Sequence, residues 1–228
     1  MKNKNISYLK NTVLLIVMLS TIMSCERELS DDKSPLEFSS VGDIFTDDFV
    51  GLGSDFYFPY GDSKFTAFSV DRTQGYNSNS SIRIDVPNAV DPEGAYAGGI
   101  FRIDGAGRNL SQYDALTFWV KSSQGVFVGE FGFGEDFLEN KYVATRINVS
   151  VGTNWTKVII PIPDASVLQQ EKGMFRYAAG TQGTNGFGYT LWLDEIKFEK
   201  LGTISIVNAF ILNGEDRSIE GFAGSNQI

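Results

Sequence analysis

The sequence predicts an all-β domain, an antiparallel β-sandwich of the jelly-roll kind. Two observations carry this. From about Phe45 to Lys200, short apolar or alternating runs recur between clusters of Gly, Asn, Asp and Ser. No stretch of that region sustains a helical period. Roughly eight strands at such a spacing suit two stacked antiparallel sheets.

The elements follow in order. Residues 80–86 (SSIRIDV) and 97–103 (AGGIFRI) read as the first clear strands. Residues 114–122 (DALTFWVKS) and 125–133 (GVFVGEFGF) follow, then 142–149 (YVATRINV), 155–162 (WTKVIIPI) and 189–199 (YTLWLDEIKFE). One weak helical candidate, DASVLQQEK at 164–172, sits after Pro163 and would supply a turn or two. Residues 51–62 (GLGSDFYFPYGD) read as a loop unusually rich in aromatic rings, with Phe56, Tyr57, Phe58 and Tyr60.

Ahead of this domain stands a leader. Lys2, Lys4 and Lys10 form a positive region, and the apolar run from Val13 to Met23 ends at Ser24. That run is too short to span a bilayer, which takes ~20 apolar residues. The only cysteine, Cys25, follows directly. Ile22-Met23-Ser24-Cys25 resembles the lipobox of bacterial lipoproteins, which implies a signal peptide over 1–24 and a diacylated Cys25 as membrane anchor. Residues 25–44 are the acylated cysteine and an acidic tether, with Glu26, Glu28, Asp31 and Asp32 just behind the anchor. Acids at that place resemble a surface-export signal. The expected location is therefore the outer membrane or cell surface of a Gram-negative bacterium. Residues 201–228 change character and look like a linker and the opening of a further, truncated immunoglobulin-like domain.

Composition excludes whole classes of chemistry. The chain has no histidine, so Ser-His-Asp and Cys-His catalysis are out and zinc hydrolysis loses its commonest ligand. Acylation of Cys25 would leave no thiol. The formal charge of −9 becomes −12 once the three leader lysines are gone, which disfavours nucleic acid and anionic lipid as partners. The hard-metal option that remains is calcium on oxygen ligands.

Residues 45–200 resemble carbohydrate-binding modules of the calcium-containing, galactose-binding-like jelly-roll type. The pieces that carry the resemblance are DDF at 47–49, GYNSNSSIRIDV at 75–86, LSQYDALTFWVKS at 110–122, NWTKVIIPI at 154–162 and LWLDEIKFEK at 191–200. The resemblance implies non-catalytic binding of a polysaccharide or oligosaccharide. It also implies a structural Ca²⁺ joining the first strand (Asp48, or Asp47), the segment Thr73–Tyr76 through Gln74, and Asp194 on the last strand. An aspartate interrupting the apolar run 191–196 needs partners of some kind.

Sugars stack their C–H faces on aromatic rings while polar side chains take the hydroxyls. In 115–121, Leu116, Phe118 and Val120 share one strand face, leaving Thr117, Trp119 and Lys121 on the other. Trp192 likewise opposes Leu191 and Leu193. Trp119 and Trp192 are thus candidate ligand residues, with Glu130, Arg102, Tyr177 and Tyr96; Tyr142 and Arg146 are further possibilities. Trp155 reads as core or a turn lid, and the Gly-rich stretch 180–189 and the loop 51–62 could give rim contacts. The acids Glu130, Glu135, Asp136 and Glu139 invite a glycosidase reading, but their spacing puts no two glutamates on one strand face across a cleft. Two other readings stay open: an accessory module of a glycoside hydrolase whose catalytic part lies elsewhere, and a protein-binding adhesion or scaffold lipoprotein.

Overall fold

The computed structural model describes residues 38–59, 61–136 and 142–202. The leader, Cys25, the tether to residue 37, Tyr60, Glu139 and the stretch 203–228 lie outside the described residues. No helix among the described residues is long and apolar enough to cross a membrane.

The domain is an antiparallel sandwich of two sheets. Its strands are β1 (Asp43–Phe45), β2 (Tyr57–Pro59), β3 (Phe68–Asp71), β4 (Ser81–Val86), β5 (Ala97–Arg102), β6 (Ala115–Ser122), β7 (Val126–Phe133), β8 (Ala144–Val151), β9 (Thr156–Pro161), β10 (Gly173–Ala179) and β11 (Tyr189–Glu199). One sheet runs β3-β4-β11-β6-β9, with β1 also paired to β11. The other runs β2-β5-β10-β7-β8. Chain neighbours β4 and β5 sit in different sheets, as do β6 and β7, and β10 and β11, which gives the jelly-roll weave.

The alternation read from the sequence explains the packing. Leu116, Phe118 and Val120 of β6, and Leu191 and Leu193 of β11, enter the core beside Ile82 and Ile84 of β4. Phe101, Phe175, Tyr177 and Phe131 enter from the other sheet. Phe118 meets Phe131 and Phe175 edge-on at 4.9 and 5.3 Å, favoured ring geometry.

Three places differ from the sequence reading. The helical candidate at 164–172 is a single 3-10 turn, Ala165–Val167, capped by the Asp164 carboxylate on Ser166 N–H. A strand, β10, follows at once and fills the centre of its sheet. The aromatic loop at 51–62 contains β2, and its rings Phe56 and Tyr57 pack on the core instead of lining a rim.

Two devices break the regular strand pattern. On β11 the pairing shifts between Asp194 and Lys197, with Glu195 at φ +50°. The second lies on β7 and β8. Val126 and Val128 point inward, yet so do Phe131 and Phe133, so the alternation flips between them. The partner strand flips in step, Val151 and Val149 inward and then Arg146 and Ala144, with Asn148 at φ +52° at the change.

The N-terminal segment is fastened by Arg108, which is 1% exposed. Its guanidinium donates to the carbonyls of Val41 (3.1 Å), Asp43 (2.6 Å) and Val50. Burial pushes its pKa down while the Asp43 charge works against that. Three carbonyl acceptors partner its two terminal nitrogens, while Nε is buried without a hydrogen bond.

Candidate functional site

Most of the predicted ligand residues fall on two opposite outer faces of the sandwich, while Tyr177 and Arg146 point inward, and the two faces are built differently.

Trp119 and Trp192 lie on the outer face of the β3-β4-β11-β6-β9 sheet, as their strand parity requires. That face is roofed. The segment 72–80 folds over it and stacks Tyr76 on Trp119, with ring centroids 3.8 Å apart. Trp155 stands edge-on to Tyr76 at 6.2 Å. Lys121 Nζ lies 5.1 Å from both the Trp155 and Trp192 rings, and donates to Gln74 Oε1 at 2.7 Å. The Trp192 indole N–H donates to Asp71 at 3.0 Å. The Thr73 hydroxyl, the Trp192 indole and the Gln74 amide together hold the Asp71 carboxyl below the ordinary range, against the effect of desolvation. One face of the Trp119 ring is thus taken by Tyr76, while Tyr76, Trp119, Trp155 and Trp192 each stay half-buried.

The outer face of the β2-β5-β10-β7-β8 sheet is open at its centre. Small residues form the floor, Gly98 of β5, Ala178 of β10 and Gly129 of β7, with Ala178 paired to both Gly98 and Glu130. A Cβ on Gly129 would stand 3.0 Å from the Ala178 carbonyl, so the close approach of β7 to β10 here favours glycine. The result is a groove of roughly 360 Å³ lined by Tyr96, Phe127, Gly129, Asn148, Ala178 and Gln182, among others. Phe127 is 61% exposed, a large apolar ring left in water.

Beside the groove runs a lattice of half-buried charges. Arg176 of β10 hydrogen-bonds Glu130 at 3.0 Å and stands 2.9 Å from Glu135 Oε2 as an ion pair. Arg102 of β5 meets Asp136 at 3.6 Å and lies over the Phe58 ring at 5.7 Å. An arginine fork and a carboxylate held in place can grip vicinal hydroxyls with charge-assisted hydrogen bonds. The carboxylates of Glu130 and Glu135 face one shared guanidinium, that of Arg176.

The structure therefore brings Glu130, Arg102 and Tyr96 to one face, and sets Trp119 and Trp192 on the other. Burial raises the Tyr96 hydroxyl pKa, and the Asp62 charge adds to it. Tyr177 belongs to neither face. It is 0% exposed, points into the core and bonds the Tyr57 hydroxyl at 2.8 Å, while its neighbours Arg176 and Ala178 take the outward positions of β10. Arg146 also points inward and donates to the Ile159 carbonyl at 3.4 Å, and Tyr142 packs half-buried on the core. Trp155 is the turn lid. Sequence reasoning passed over Phe127, Asn148, Arg176 and Ala178, while Gln182 falls in the stretch 180–189 expected to give rim contacts. A signal for Arg176 and Ala178 existed in the alternation Phe175-Arg176-Tyr177-Ala178-Ala179. Phe127 was hidden by the flip in β7.

The residues expected to hold calcium do not fit that ion. Asp194 is 1% exposed and desolvation raises its pKa, but both oxygens are engaged: Oδ2 accepts from Tyr76 N–H (2.6 Å) and the Ser78 hydroxyl (3.3 Å), and Oδ1 from Glu195 N–H (2.7 Å). The Gln74 side chain is spent on Lys121 and Asp71, and its carbonyl on the Ser81 hydroxyl. The Asp48 side chain is 71% exposed and caps Phe49 N–H. Calcium asks for six to eight oxygens around one point. Among the described residues no group of three or more His, Cys, Asp or Glu side chains converges in that way. A guanidinium already stands there: Arg72 Nη1 donates to the Asp47 carbonyl (3.0 Å) and the Ser80 hydroxyl (3.4 Å), and Nη2 lies 3.4 Å from Asp48 Oδ1.

Against this geometry stand the comparisons with known proteins. The family described as carbohydrate binding domain 30 matches residues 43–200. A crystal structure of a family 30 carbohydrate-binding module is 20% identical, with 70% of this chain and 98% of that chain covered and a TM-score of 0.49. The family 30 module of a cellulosomal cellulase of Clostridium thermocellum is 18% identical, with coverage of 73% and 96% and a TM-score of 0.43. A family 11 module from Clostridium thermocellum, in complex with a β-1,3-1,4-mixed-linked tetrasaccharide, is 14% identical, with coverage of 71% and 98% and a TM-score of 0.46. No curated protein matches the chain.

Proposed function

Because the chain belongs to the carbohydrate binding domain 30 family, we propose that it binds a glycan chain in the groove over β5, β10 and β7, without catalysing a reaction on it. The observation that carries this is the open floor of small residues between the exposed Phe127 ring and the Arg176–Glu130 pair. The ring offers a stacking surface for a pyranose face. The ion pair offers fixed donors and acceptors for its hydroxyls. Lattices of paired charges suit a neutral sugar, since neither sign is left in large excess.

Trp119 and Trp192 receive a structural role in this reading: they hold the roof segment 72–80. The leader supports a second part of the proposal, that Cys25 is acylated and tethers the module to a membrane at the cell surface, with Glu26–Glu37 as spacer. Two acyl chains anchor stably, at ~0.8 kcal/mol per buried CH₂. Intact mass of the mature N-terminus tests that part alone.

The groove is tested by isothermal titration against a panel of plant and microbial polysaccharides, including mixed-linkage β-1,3-1,4-glucan. Phe127→Ala and Glu130→Gln are each expected to weaken the best ligand by about tenfold, ~1.4 kcal/mol. Trp119→Ala and Trp192→Ala are expected to retain it. The opposite pattern would move the site to the other face. Failure of every glycan would shift weight to a protein-binding lipoprotein.

A further inference from the structure

We infer that the seam between the N-terminal segment and the sandwich is closed by two guanidinium groups, Arg108 and Arg72, and requires no metal ion. The inference does not rest on the glycan reading.

The physical problem at this seam is plain. Strand β1 makes few ladder bonds, and the segment around it turns back on itself with Asp47 at φ +113°. Such a segment presents backbone carbonyls that its own ladder does not use. A dication can gather carbonyls of this kind, and so can a planar cation with five N–H donors. Arg108 gathers three, from Val41, Asp43 and Val50, in a fully buried position. Arg72 takes the Asp47 carbonyl and pairs with Asp48, while the Ser80 hydroxyl donates to that same carbonyl at 2.6 Å. An ion placed on the Asp47 carbonyl would meet the Arg72 charge head-on. On the far side of the segment 72–80, both Asp194 oxygens accept hydrogen bonds from protein donors, two backbone N–H groups and a hydroxyl. Gly75 lets the segment close this tightly: a Cβ there would collide with the Ser80 carbonyl and the Ser78 hydroxyl, and stand 2.8 Å from Asp194 Oδ2. The oxygens that could surround an ion are drawn onto each other and onto protein donors.

The test uses the full chain in detergent. Thermal unfolding followed by tryptophan fluorescence is expected to give superimposable curves in excess EDTA and in excess calcium chloride. Terbium, read by emission sensitised through Tyr76 and Trp119, is expected to show no saturable signal. Arg72→Met is expected to lower the melting midpoint, and Arg108→Met to lower it further. Should Arg108→Met fail to fold, Arg108→Lys keeps the charge but loses the fork, and an intermediate midpoint is expected. A saturable rise in midpoint with calcium, or stoichiometric terbium emission displaced by calcium, would overturn the inference. So would an Arg72→Met chain as stable as the wild type. Glycan retention in EDTA is followed in parallel. If no glycan binds at all, the groove reading fails while the thermal and terbium arms still decide this one.

Discussion

The two outer faces of the sandwich carry opposite lessons about aromatic residues. The face of β6 and β11 holds all three tryptophans of the chain, and it is partly roofed: Tyr76 stacks on Trp119, and Lys121 lies against Trp155 and Trp192. The face of β5, β10 and β7 holds no tryptophan, and it is open, because Gly98, Ala178 and Gly129 leave its centre empty. A binding surface is made by what is missing from a sheet as much as by the rings it bears. Aromatic residues with settled partners hold structure; the exposed phenylalanine beside the trough is where the proposed ligand would stack.

That contrast can be broken most sharply by filling the trough. Ala178→Trp places a large side chain on the groove floor and is expected to cost roughly a hundredfold in glycan affinity, ~2.8 kcal/mol, in titration calorimetry. Because residue 178 faces outward, the melting midpoint should change little. An unchanged affinity would return the site to the tryptophan face. Next comes the reverse experiment. Trp119→Ala removes the ring under Tyr76 and is expected to lower stability by about 1–2 kcal/mol in urea unfolding, with glycan affinity held.

The smallest expected effect is that of pH on the roofed face. Asp71 is held below the ordinary carboxylate range, first by the Thr73 hydroxyl and then by the Trp192 indole. Its ionised form therefore favours the folded state. The contribution is complete above the unfolded value of about 3.9 and drains away as pH falls toward the depressed folded value. Solvent screening keeps it under about 1 kcal/mol. Melting midpoints of wild type and Asp71→Asn are expected to converge below about pH 3. Curves that stay parallel would show that Asp71 is no hub.

Much of the fold was legible because period-two alternation survives wherever a strand is buried on one side only. The strands 81–86, 115–122, 156–161 and 189–199 were visible for that reason. β10 was not. It begins at Gly173 directly behind a capped turn, and its outward residues include an alanine, which blurs the polar half of the pattern. Trp119 and Trp192 were correctly read as facing away from the core. That the face they occupy is roofed depends on a segment some forty residues earlier in the chain, and strand parity contains no such information. Glu130, Arg102 and Tyr96 reached the groove face, while Tyr177 did not, since its parity could be set only once β10 was known to be a strand. Phe127 was masked by the paired flip at Gly129 and Asn148, a backbone event that residue types at single positions do not announce.

The charge lattice beside the groove also sets how the module would let go. Arg102 and Arg176 are matched against Asp136, Glu130 and Glu135 before any ligand arrives. A neutral sugar entering there displaces water and no counterions. Retention on a polysaccharide column should then be nearly flat in ionic strength, and brine should not elute the protein where free oligosaccharide would. Such a grip would be equally useful in fresh water and in seawater.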